Sequence, residues 1–322
     1  MLSPLPLALL TVVLLAAGVF VVDRFADLKE ARAEAGHGPL GQLIEVDGTV
    51  VHALVKGDGP DLVLLHGASG NLRDFTFGLV EPLSRDFRVI AFDRPGLGWT
   101  EPLDRKSETP RDQARLLQRA ADQLGVSAPI VLGHSYGGVV ALAWALERPE
   151  ETSALVLLGS VSNPWPGGID LLYRVNASGP GGALVVPLLT AFAPKDRIDT
   201  ALQAIFAPQD VPAGYGAHVG AGLTLRRDSL RANARQLAGL KPEVVAMSKD
   251  YPTLTMPAEL LHGEDDTIVP IDVHSEPLSR QMPQAVLTAM PGVGHMPHHA
   301  DPQAVIDAVH RVAARAGLKN DN

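Results

Sequence analysis

The chain has 322 residues, 46% of them hydrophobic and 20% charged, which is enough for one large α/β domain or two small ones. It contains no cysteine, which excludes disulfides, thiol nucleophiles and thiolate metal sites but leaves the redox compartment undetermined. The formal net charge is −9 and there is no long basic run, so we expect no nucleic-acid partner.

The N-terminus is strongly apolar. The first 22 residues carry no charged side chain, and residues 5–22 are almost entirely Leu, Val, Ala, Phe and Gly. A helix of about eighteen residues is about 27 Å long, close to the hydrocarbon thickness of a bilayer. We therefore predict an uncleaved transmembrane anchor. Two alternatives stay open: a buried core helix, and a signal peptide cleaved near Ala16-Ala17-Gly18, although no Lys or Arg precedes the run.

A charged segment over residues 23–39 follows the anchor, and we interpret it as a juxtamembrane linker. Its basic residues Arg24, Lys29 and Arg32 have no counterpart before the apolar run, so the positive-inside rule predicts that the rest of the chain is cytoplasmic. Export after cleavage of a signal peptide is the alternative. The predicted organisation is an anchor and linker over residues 1–35 and a folded domain over residues 36–322.

The folded domain begins with a predicted β-hairpin and continues with strands that alternate with helices. The turn Asp47-Gly48 separates two short β-rich runs. Helical segments, one of them opening at Pro110, separate the later apolar runs of strand length. This alternation predicts an α/β fold with a mostly parallel sheet covered by helices on both faces. The runs span residues 62–65, 88–92, 129–132, 154–158, 258–261 and 285–289.

The alternation stops between about residues 160 and 250. This segment is rich in Pro and Gly, and it contains aromatic residues that can bury surface. About ninety residues are too many for a structureless loop in a compact domain. We therefore predict a mainly helical cap, inserted after the strand at residues 154–158 and lying above the carboxyl ends of the strands. Open α/β sheets bind their ligands at that edge.

The most informative motif follows the strand at residues 129–132. Residues 133–138 read Gly-His-Ser-Tyr-Gly-Gly and precede an apolar helical segment, so Ser135 lies at the apex of a sharp strand–turn–helix. His134 is only the variable position of this motif. A serine hydroxyl is a weak nucleophile at neutral pH and needs a nearby base and a donor for the developing oxyanion. The flanking glycines permit the strained turn.

An acid and a histidine follow in the order that such a serine needs. Residues 263–266 read Gly-Glu-Asp-Asp after one predicted strand, and residues 292–295 read Gly-Val-Gly-His after the next. With these motifs the chain resembles the α/β-hydrolase family over about residues 40–318. Residues 66–68, His-Gly-Ala, are similar to the oxyanion loop of that family, and residues 92–100 are similar to the turn after its next strand.

The resemblance implies a role for each member of this set. Ser135 would be the nucleophile, and His295 would be the general base and then the general acid, with His298 and His299 as less favoured candidates. An acid would orient His295 and stabilise its imidazolium. The spacing of Gly-x-x-Asp-x-x-x-Pro places that acid at Asp266. The neighbouring Asp265 is the alternative.

Two backbone amides would form the oxyanion hole, the N–H of Tyr136 and an N–H of the loop at residues 66–68, for which we choose Ala68. Trp99, Trp165 and Tyr173 are candidates for lining the substrate pocket, with plain packing in the cap and loops as an equal alternative.

Other patterns point to less specific roles or to none. Arg227, Arg231 and Arg235 recur every four residues, which favours a solvated helix face and leaves contact with anionic lipid headgroups as an alternative. The sequence contains no metal-ligand spacing of the His-Glu-x-x-His type and no Gly-rich dinucleotide fingerprint. We therefore expect neither a cofactor nor a metal.

These residues together predict a serine hydrolase that cleaves carboxylic esters, of a lipophilic small molecule, through an acyl-enzyme. Thioesters, lactones, a carbon–carbon bond next to a ketone, and cofactor-free haloperoxidase or perhydrolase chemistry fit the same three residues. Epoxide hydrolases and haloalkane dehalogenases use an aspartate where this chain has Ser135, which argues against both. A non-catalytic binding protein on this fold is the least favoured alternative. The expected partners are a small-molecule ester and a membrane, while the oligomeric state is undetermined.

Overall fold

The structure is a computed structural model that describes residues 4–104 and 108–318. It begins with helix α1 (Pro4–Gly36), 33 residues long, which is about 50 Å at 1.5 Å per residue. The described side chains from residue 8 to residue 21 are exposed, and half-buried and buried side chains begin at Val22. The helix thus continues through most of the segment that the sequence led us to interpret as a linker.

An eight-stranded sheet forms the centre of the domain, in the order β1-β2-β4-β3-β5-β6-β7-β8. Strand β2 pairs antiparallel with β1 and with β4, and every other pair is parallel. The predicted mostly parallel sheet is therefore confirmed. The strands are β1 (Gln42–Val46), β2 (Thr49–Lys56), β3 (Asp61–Leu65), β4 (Arg88–Phe92), β5 (Ile130–His134), β6 (Ala154–Leu158), β7 (Ala258–Gly263) and β8 (Ala285–Met290).

Helices cover the sheet on both faces, as the alternating pattern predicts. The side chains of β3 alternate between two cores, since Val63 and Leu65 belong to one and Leu62 and Leu64 to the other. One core is closed by α4 (Pro110–Gln123), α5 (Tyr136–Glu147) and α12 (Ser275–Gln281). The other is closed by α2 (Arg73–Thr76), α3 (Val80–Leu83) and α14 (Pro302–Arg315), and the short α13 (Pro297–Ala300) precedes α14.

The chain between β6 and β7 is helical and contains no strand within this fully described segment. We call residues 159–257 the cap segment. Its long last helix reaches into the core of the sheet domain, where Leu240, Val244 and Met247 are buried with residues of α4 and α5. The helices are α6 (Leu171–Ala177), α7 (Gly179–Phe192), α8 (Lys195–Phe206), α9 (Tyr215–Val219), α10 (Ala221–Thr224) and α11 (Arg227–Met247).

The second half of α1 packs on the cap segment. Buried and half-buried residues recur every three or four positions along α1 from Val22, and Ala26 is fully buried. The end of α1 lies close to α10, since a Cβ on Gly222 would lie 3.0 Å from the Cβ of Ala33. His37, just after α1, has its Nε2 2.8 Å from the carbonyl oxygen of Ala217. This contact joins the N-terminal helix to the rest of the molecule.

Candidate active site

Ser135 occupies a strained turn between β5 and α5. Its backbone has φ 54° and ψ −117°, a combination that costs energy in a residue with a side chain. The turn is tight because the start of α5 lies close to both β3 and β5: a Cβ on Gly137 would lie 2.0 Å from the carbonyl oxygen of Leu65 on β3, and one on Gly133 on β5 would lie 2.3 Å from that of Gly137. The sharp turn at the carboxyl end of a central strand presents the Ser135 side chain to the edge where ligands bind.

His295 lies within hydrogen-bond distance of both Ser135 and Asp266. Its Nε2 is 2.9 Å from Ser135 Oγ, and its Nδ1 is 2.7 Å from Asp266 Oδ2. All three residues are buried. With the Nδ1 proton donated to Asp266, the lone pair of Nε2 is available to accept from the serine hydroxyl.

Asp266 is held as a carboxylate. Burial acts to raise the pKa of Asp266, but hydrogen bonds from His262 and His295 and from the amide of Val269 outweigh it and hold that pKa well below its ordinary value. The amides of Ile268 and Val269 both donate to Oδ1 at 2.9 Å. The neighbouring Asp265 is exposed, so the structure brings Asp266, and not Asp265, to His295.

The loop at residues 66–69 lies beside the nucleophile. A Cβ built on Gly67 would lie 3.2 Å from the Cβ of Ser135. The loop therefore brings Ala68 close to the turn in which Tyr136 directly follows Ser135. The amide of Ser69 donates to Asn233 Oδ1 on α11 at 2.8 Å, which ties this loop to the cap segment.

A buried arginine supports the same loop. Arg94 is fully buried, and its guanidinium donates to the carbonyl oxygens of His66 and Gly67 at 2.8 and 3.0 Å. The guanidinium carbon also lies 4.3 Å from the centroid of the Tyr136 ring. Burial lowers the pKa of Arg94 to about 10, which still leaves it charged at neutral pH. The sequence shows Arg94 only as part of the turn at residues 92–100, and its support of the loop is visible only in three dimensions.

A model of the alpha/beta hydrolase fold family matches residues 60–302, well over half of the chain. The chain belongs to the alpha/beta hydrolase fold family. With esterases and other hydrolases among its relatives, it is an enzyme of the hydrolase class.

Two curated relatives illustrate the similarity. A pimeloyl-[acyl-carrier protein] methyl ester esterase of Nitrosomonas europaea is 28% identical over 286 residues, which are 80% of this chain and 96% of that protein. A dihydrolipoyllysine-residue acetyltransferase component of an acetoin cleaving system, from Cupriavidus necator, is 36% identical over 121 residues. In that case the match spans 37% of this chain and only 32% of the longer protein.

Solved structures share the fold of this hydrolase. An alpha/beta hydrolase fold protein from Burkholderia ambifaria superposes with a TM-score of 0.71 at 23% identity, over 84% of this chain and 97% of the other. The crystal structure of a membrane phospholipase A has a TM-score of 0.67 at 22% identity, over 98% of this chain and 99% of the other.

His134 of the hydrolase contacts His295 directly. Its Nε2 is 2.9 Å from the carbonyl oxygen of His295, and the two rings are 5.0 Å apart between centroids. Burial, together with the charges of His298 and His295, holds the pKa of His134 well below its ordinary value, so the ring is neutral and can donate only one hydrogen bond. The sequence offers a single signal for this contact, the position of His134 beside the nucleophile.

The two other candidate histidines, His298 and His299, contact a different carboxylate, that of Asp74. His298 and His299 place their Nε2 atoms 3.0 and 2.7 Å from the two oxygens of Asp74 on α2, and the hydroxyl of Tyr215 donates to the same carboxylate at 2.8 Å. Three ligand atoms of Asp74, His298 and His299 lie within 4.8 Å of one another, a grouping that a divalent cation can use. Sequence spacing did not indicate this group because Asp74 and His298 are 224 residues apart.

The three pocket candidates have different surroundings. Tyr173 contacts the side chain of Ser69 in the loop beside the nucleophile, and burial raises the pKa of this phenol. Trp99 instead donates from Nε1 to the carbonyl oxygen of His37 at 2.9 Å, at the end of the N-terminal helix. Trp165 packs at the edge of the core. Of the three, only Tyr173 is brought to the loop beside the nucleophile by these contacts.

The arginine row of α11 is not a solvated face. Arg235 donates from Nε and Nη2 to the two oxygens of Glu108, at 2.6 Å each, and Arg231 donates to the carbonyl oxygen of Gly182 at 3.0 Å. Arg227 pairs with three carboxylates of α1. The expectation of a solvated face was wrong because acidic residues that are remote in sequence fold against this helix.

Proposed function

We propose that this hydrolase cleaves carboxylic esters by an acyl-enzyme mechanism in which Ser135 is the nucleophile. The observation that carries the proposal is the continuous hydrogen-bonded chain from Asp266 through His295 to Ser135, at a strained turn. A buried Asp–His pair behind a serine hydroxyl is the arrangement that makes such a hydroxyl reactive at neutral pH.

The steps follow from this geometry. Ser135 Oγ attacks the carbonyl carbon of the ester while its proton passes to His295 Nε2. The ionised Asp266, which accepts from Nδ1, stabilises the resulting imidazolium without taking the proton. The imidazolium then protonates the departing alkoxide, which leaves Ser135 acylated. A water molecule that gives its proton to His295 attacks the acyl group, and the acid is released as Ser135 is reprotonated.

The negative charge on the carbonyl oxygen needs donors that are already in place. We assign these to the backbone amides of Ala68 and Tyr136, since the 66–69 loop lies against Ser135 and Tyr136 directly follows it. Loss of one such donor costs about 10²- to 10³-fold in kcat in hydrolases of this type. Arg94 and Asn233 act on the loop, and we assign them positioning roles.

The substrate class that we propose is a lipophilic ester. Two features support it: the helical cap segment that Tyr173 links to the loop beside the nucleophile, and the apolar helix α1. Esterase activity is also what the name of the Nitrosomonas europaea relative describes, and a membrane phospholipase A shares the fold over almost the whole chain.

We also propose that α1 anchors the enzyme in a membrane. Within the described residues one helix, over residues 8–36, is long and apolar enough to cross a bilayer, and its apolar window is not buried in the protein. The exposed bases that follow support a cytoplasmic catalytic domain under the positive-inside rule. Since the chain has no cysteine, a Leu43→Cys variant tests this orientation. An impermeant thiol reagent should label it only after cell lysis, and labelling of intact cells would reverse the topology.

The catalytic proposal is tested with a fluorophosphonate probe. The wild-type enzyme should be labelled, mass spectrometry should locate the adduct on Ser135, and Ser135→Ala should be neither labelled nor active on a 4-nitrophenyl ester. Loss of a serine nucleophile costs about 10⁶-fold in kcat in the best-studied case. A Ser135→Ala variant that is folded and keeps more than about a tenth of the activity would refute the assignment. A series of esters of graded acyl length then defines the substrate range.

A further inference from the structure

The cap segment carries an apolar outer surface on α6 and α7, which we call the apolar cap face. It consists of Leu171, Leu172, Leu184, Leu188 and Phe192, all of them exposed, Leu184 by 66%. The last three recur every four residues and so form one stripe along α7. Exposed apolar patches of this kind mark contacts with a membrane, a protein or a ligand.

The composition of this region is that of a membrane segment. Residues 175–194 contain no charged side chain. Together α6 and α7 have the length and apolar composition of a span, but they meet at a bend of 109°. The inner side of α7 is bound to the protein, since Thr190 Oγ1 donates to the carbonyl oxygen of Leu225 and Arg231 donates to that of Gly182. The pair is therefore suited to lying in one leaflet and not to crossing the bilayer.

The apolar cap face is continuous with the anchor. The rings of Phe192 and Phe25 lie 5.8 Å apart between centroids, and both side chains are about half exposed. Phe25 follows the charge-free residues 5–22 by only three positions, so Phe192 lies at the depth where the span ends. A bilayer that surrounds the first half of α1 therefore also reaches the face on α7.

The charges of α1 are distributed as a membrane surface requires, while beside the apolar cap face the exposed acids Asp170 and Asp196 accompany the exposed bases. The acidic residues of α1 turn toward the protein, since Asp27 and Glu30 bind Arg227. Basic residues on α1 and beside the apolar cap face turn outward, where anionic headgroups would meet them. These exposed bases are Lys29, Arg32, Arg174 and Arg197.

We propose that the apolar cap face inserts into the leaflet from which α1 emerges, and that esters dissolved in this leaflet reach Ser135 alongside α6. Helix α6 connects the two places, because it carries Leu171 and Leu172 on the outside and Tyr173 against Ser69 in the loop beside the nucleophile. The inference rests on the proposed anchor and esterase function and extends them to the route of the substrate.

Insertion can be measured without reference to activity. Single variants Leu184→Cys and Leu188→Cys of the full chain, labelled with a polarity-sensitive fluorophore, are reconstituted in phosphatidylcholine vesicles containing about 20% phosphatidylglycerol, with or without nitroxide-labelled acyl chains. Both positions should show a blue-shifted emission and strong nitroxide quenching, like Leu14→Cys in the anchor. Leu43→Cys, on the exposed edge strand β1, should behave as in water. Quenching at residues 184 and 188 no greater than at residue 43 would overturn the proposal.

A second copy of this chain is the competing occupant of the apolar cap face. If two copies met there, Leu184→Cys would form a disulfide-linked dimer under oxidation in vesicles that contain many protein copies each. Efficient cross-linking without nitroxide quenching would assign the face to a dimer interface and overturn the membrane proposal. Quenching that persists when each vesicle holds about one protein copy supports it.

The substrate route is tested by a triple variant, Leu184→Gln, Leu188→Gln and Phe192→Gln. Its activity on a long-chain ester dissolved in vesicles should fall at least about tenfold, because burial of this apolar surface is lost, while activity on water-soluble 4-nitrophenyl butyrate stays within about twofold. The control, Leu43→Gln, Val245→Gln and Val286→Gln, replaces three exposed apolar residues outside this face and should leave both activities unchanged.

The outcomes separate this inference from the proposed function. An equal loss of both activities in the triple variant, or no loss of either, would overturn the substrate route. A wild-type enzyme that hydrolyses neither ester would refute the esterase proposal, whereas the quenching experiment would still decide whether the apolar cap face lies in the bilayer.

Discussion

Two adjacent carboxylates, Asp265 and Asp266, differ completely in their surroundings. Asp266 is buried, accepts two backbone amides and bonds His295, whereas Asp265 is exposed. We expect Asp266→Asn to lower kcat by up to about 10⁴-fold, because an amide at this position favours the wrong tautomer of the histidine. Asp265→Asn should stay within about twofold. Steady-state kinetics on a soluble ester checks both, and a greater loss in the Asp265 variant would contradict the assignment.

We predict that His134 positions His295, an effect that can be separated from folding. Replacing it by Phe keeps a ring against His295 but leaves the buried carbonyl oxygen of His295 without its donor, at a cost of about 1–3 kcal/mol. We expect kcat to fall at least about fivefold with little change in KM. His134→Gln, whose amide can donate to the same oxygen, should recover most of the loss. A Phe variant with wild-type kcat would show that this contact serves packing alone.

At the scale of elements, helix α1 has two halves with different roles. The described side chains of residues 8–21 are exposed, whereas Arg227 on α11 binds Asp23, Asp27 and Glu30 of the second half. The hydrogen bond with Glu30 is the main reason that the pKa of Arg227 is raised. We therefore expect the first half to be dispensable for the fold and the second half to contribute to its stability.

Two truncations of α1 should consequently differ in thermal stability. Deletion of residues 2–21 removes an apolar segment whose described side chains, those of residues 8–21, are exposed, and it should leave a folded enzyme with near-normal activity on soluble esters. Deletion of residues 2–35 also removes the partners of Arg227 and the packing of Ala26, so we expect Tm to fall by several degrees more, since about 1 kcal/mol shifts Tm by about 2–4 °C in a domain of this size. Thermal unfolding of both proteins decides this.

Point variants of the full chain test the ion pairs of Arg227 separately from the rest of α1. Arg227→Gln should destabilise the protein measurably, whereas Lys195→Gln, which breaks an exposed pair with Asp199, should be nearly neutral. Equal stability of the two truncations, or of these two variants, would show that the contact between α1 and α11 contributes nothing.

At the scale of the whole molecule, the proposed anchor and the cap would together hold the active site near a bilayer. We expect the full-length protein to fractionate with membranes and to resist extraction by high salt or alkaline carbonate, because burial of about eighteen apolar residues is not an electrostatic attachment. The deletion of residues 2–21 should release most of it. A mature N-terminus beyond Gly18, found by mass spectrometry, would instead identify a cleaved signal peptide and an exported enzyme.

The sequence alone determined the fold and supplied the candidates for the catalytic site. Each predicted strand appears within a few residues of its expected position, because buried strands require unbroken apolar runs, and these runs are local. Ser135, Asp266 and His295 were identifiable for a related reason. Each follows a strand, and the glycines that such turns demand, such as Gly133 and Gly137, are visible as a spaced motif.

Only the tertiary structure decided which distant groups meet. Glu30 and Arg227 are 197 residues apart, and Asp74 and His299 are 225 apart, so no local pattern joins them. The sequence therefore presented residues 23–39 as a linker and the arginines of α11 as a solvated face. The spacing of charged residues along a helix does not show whether they face solvent or pair with residues that are remote in sequence. Their partners are set by how α1 and the cap segment pack, and that packing depends on the whole chain.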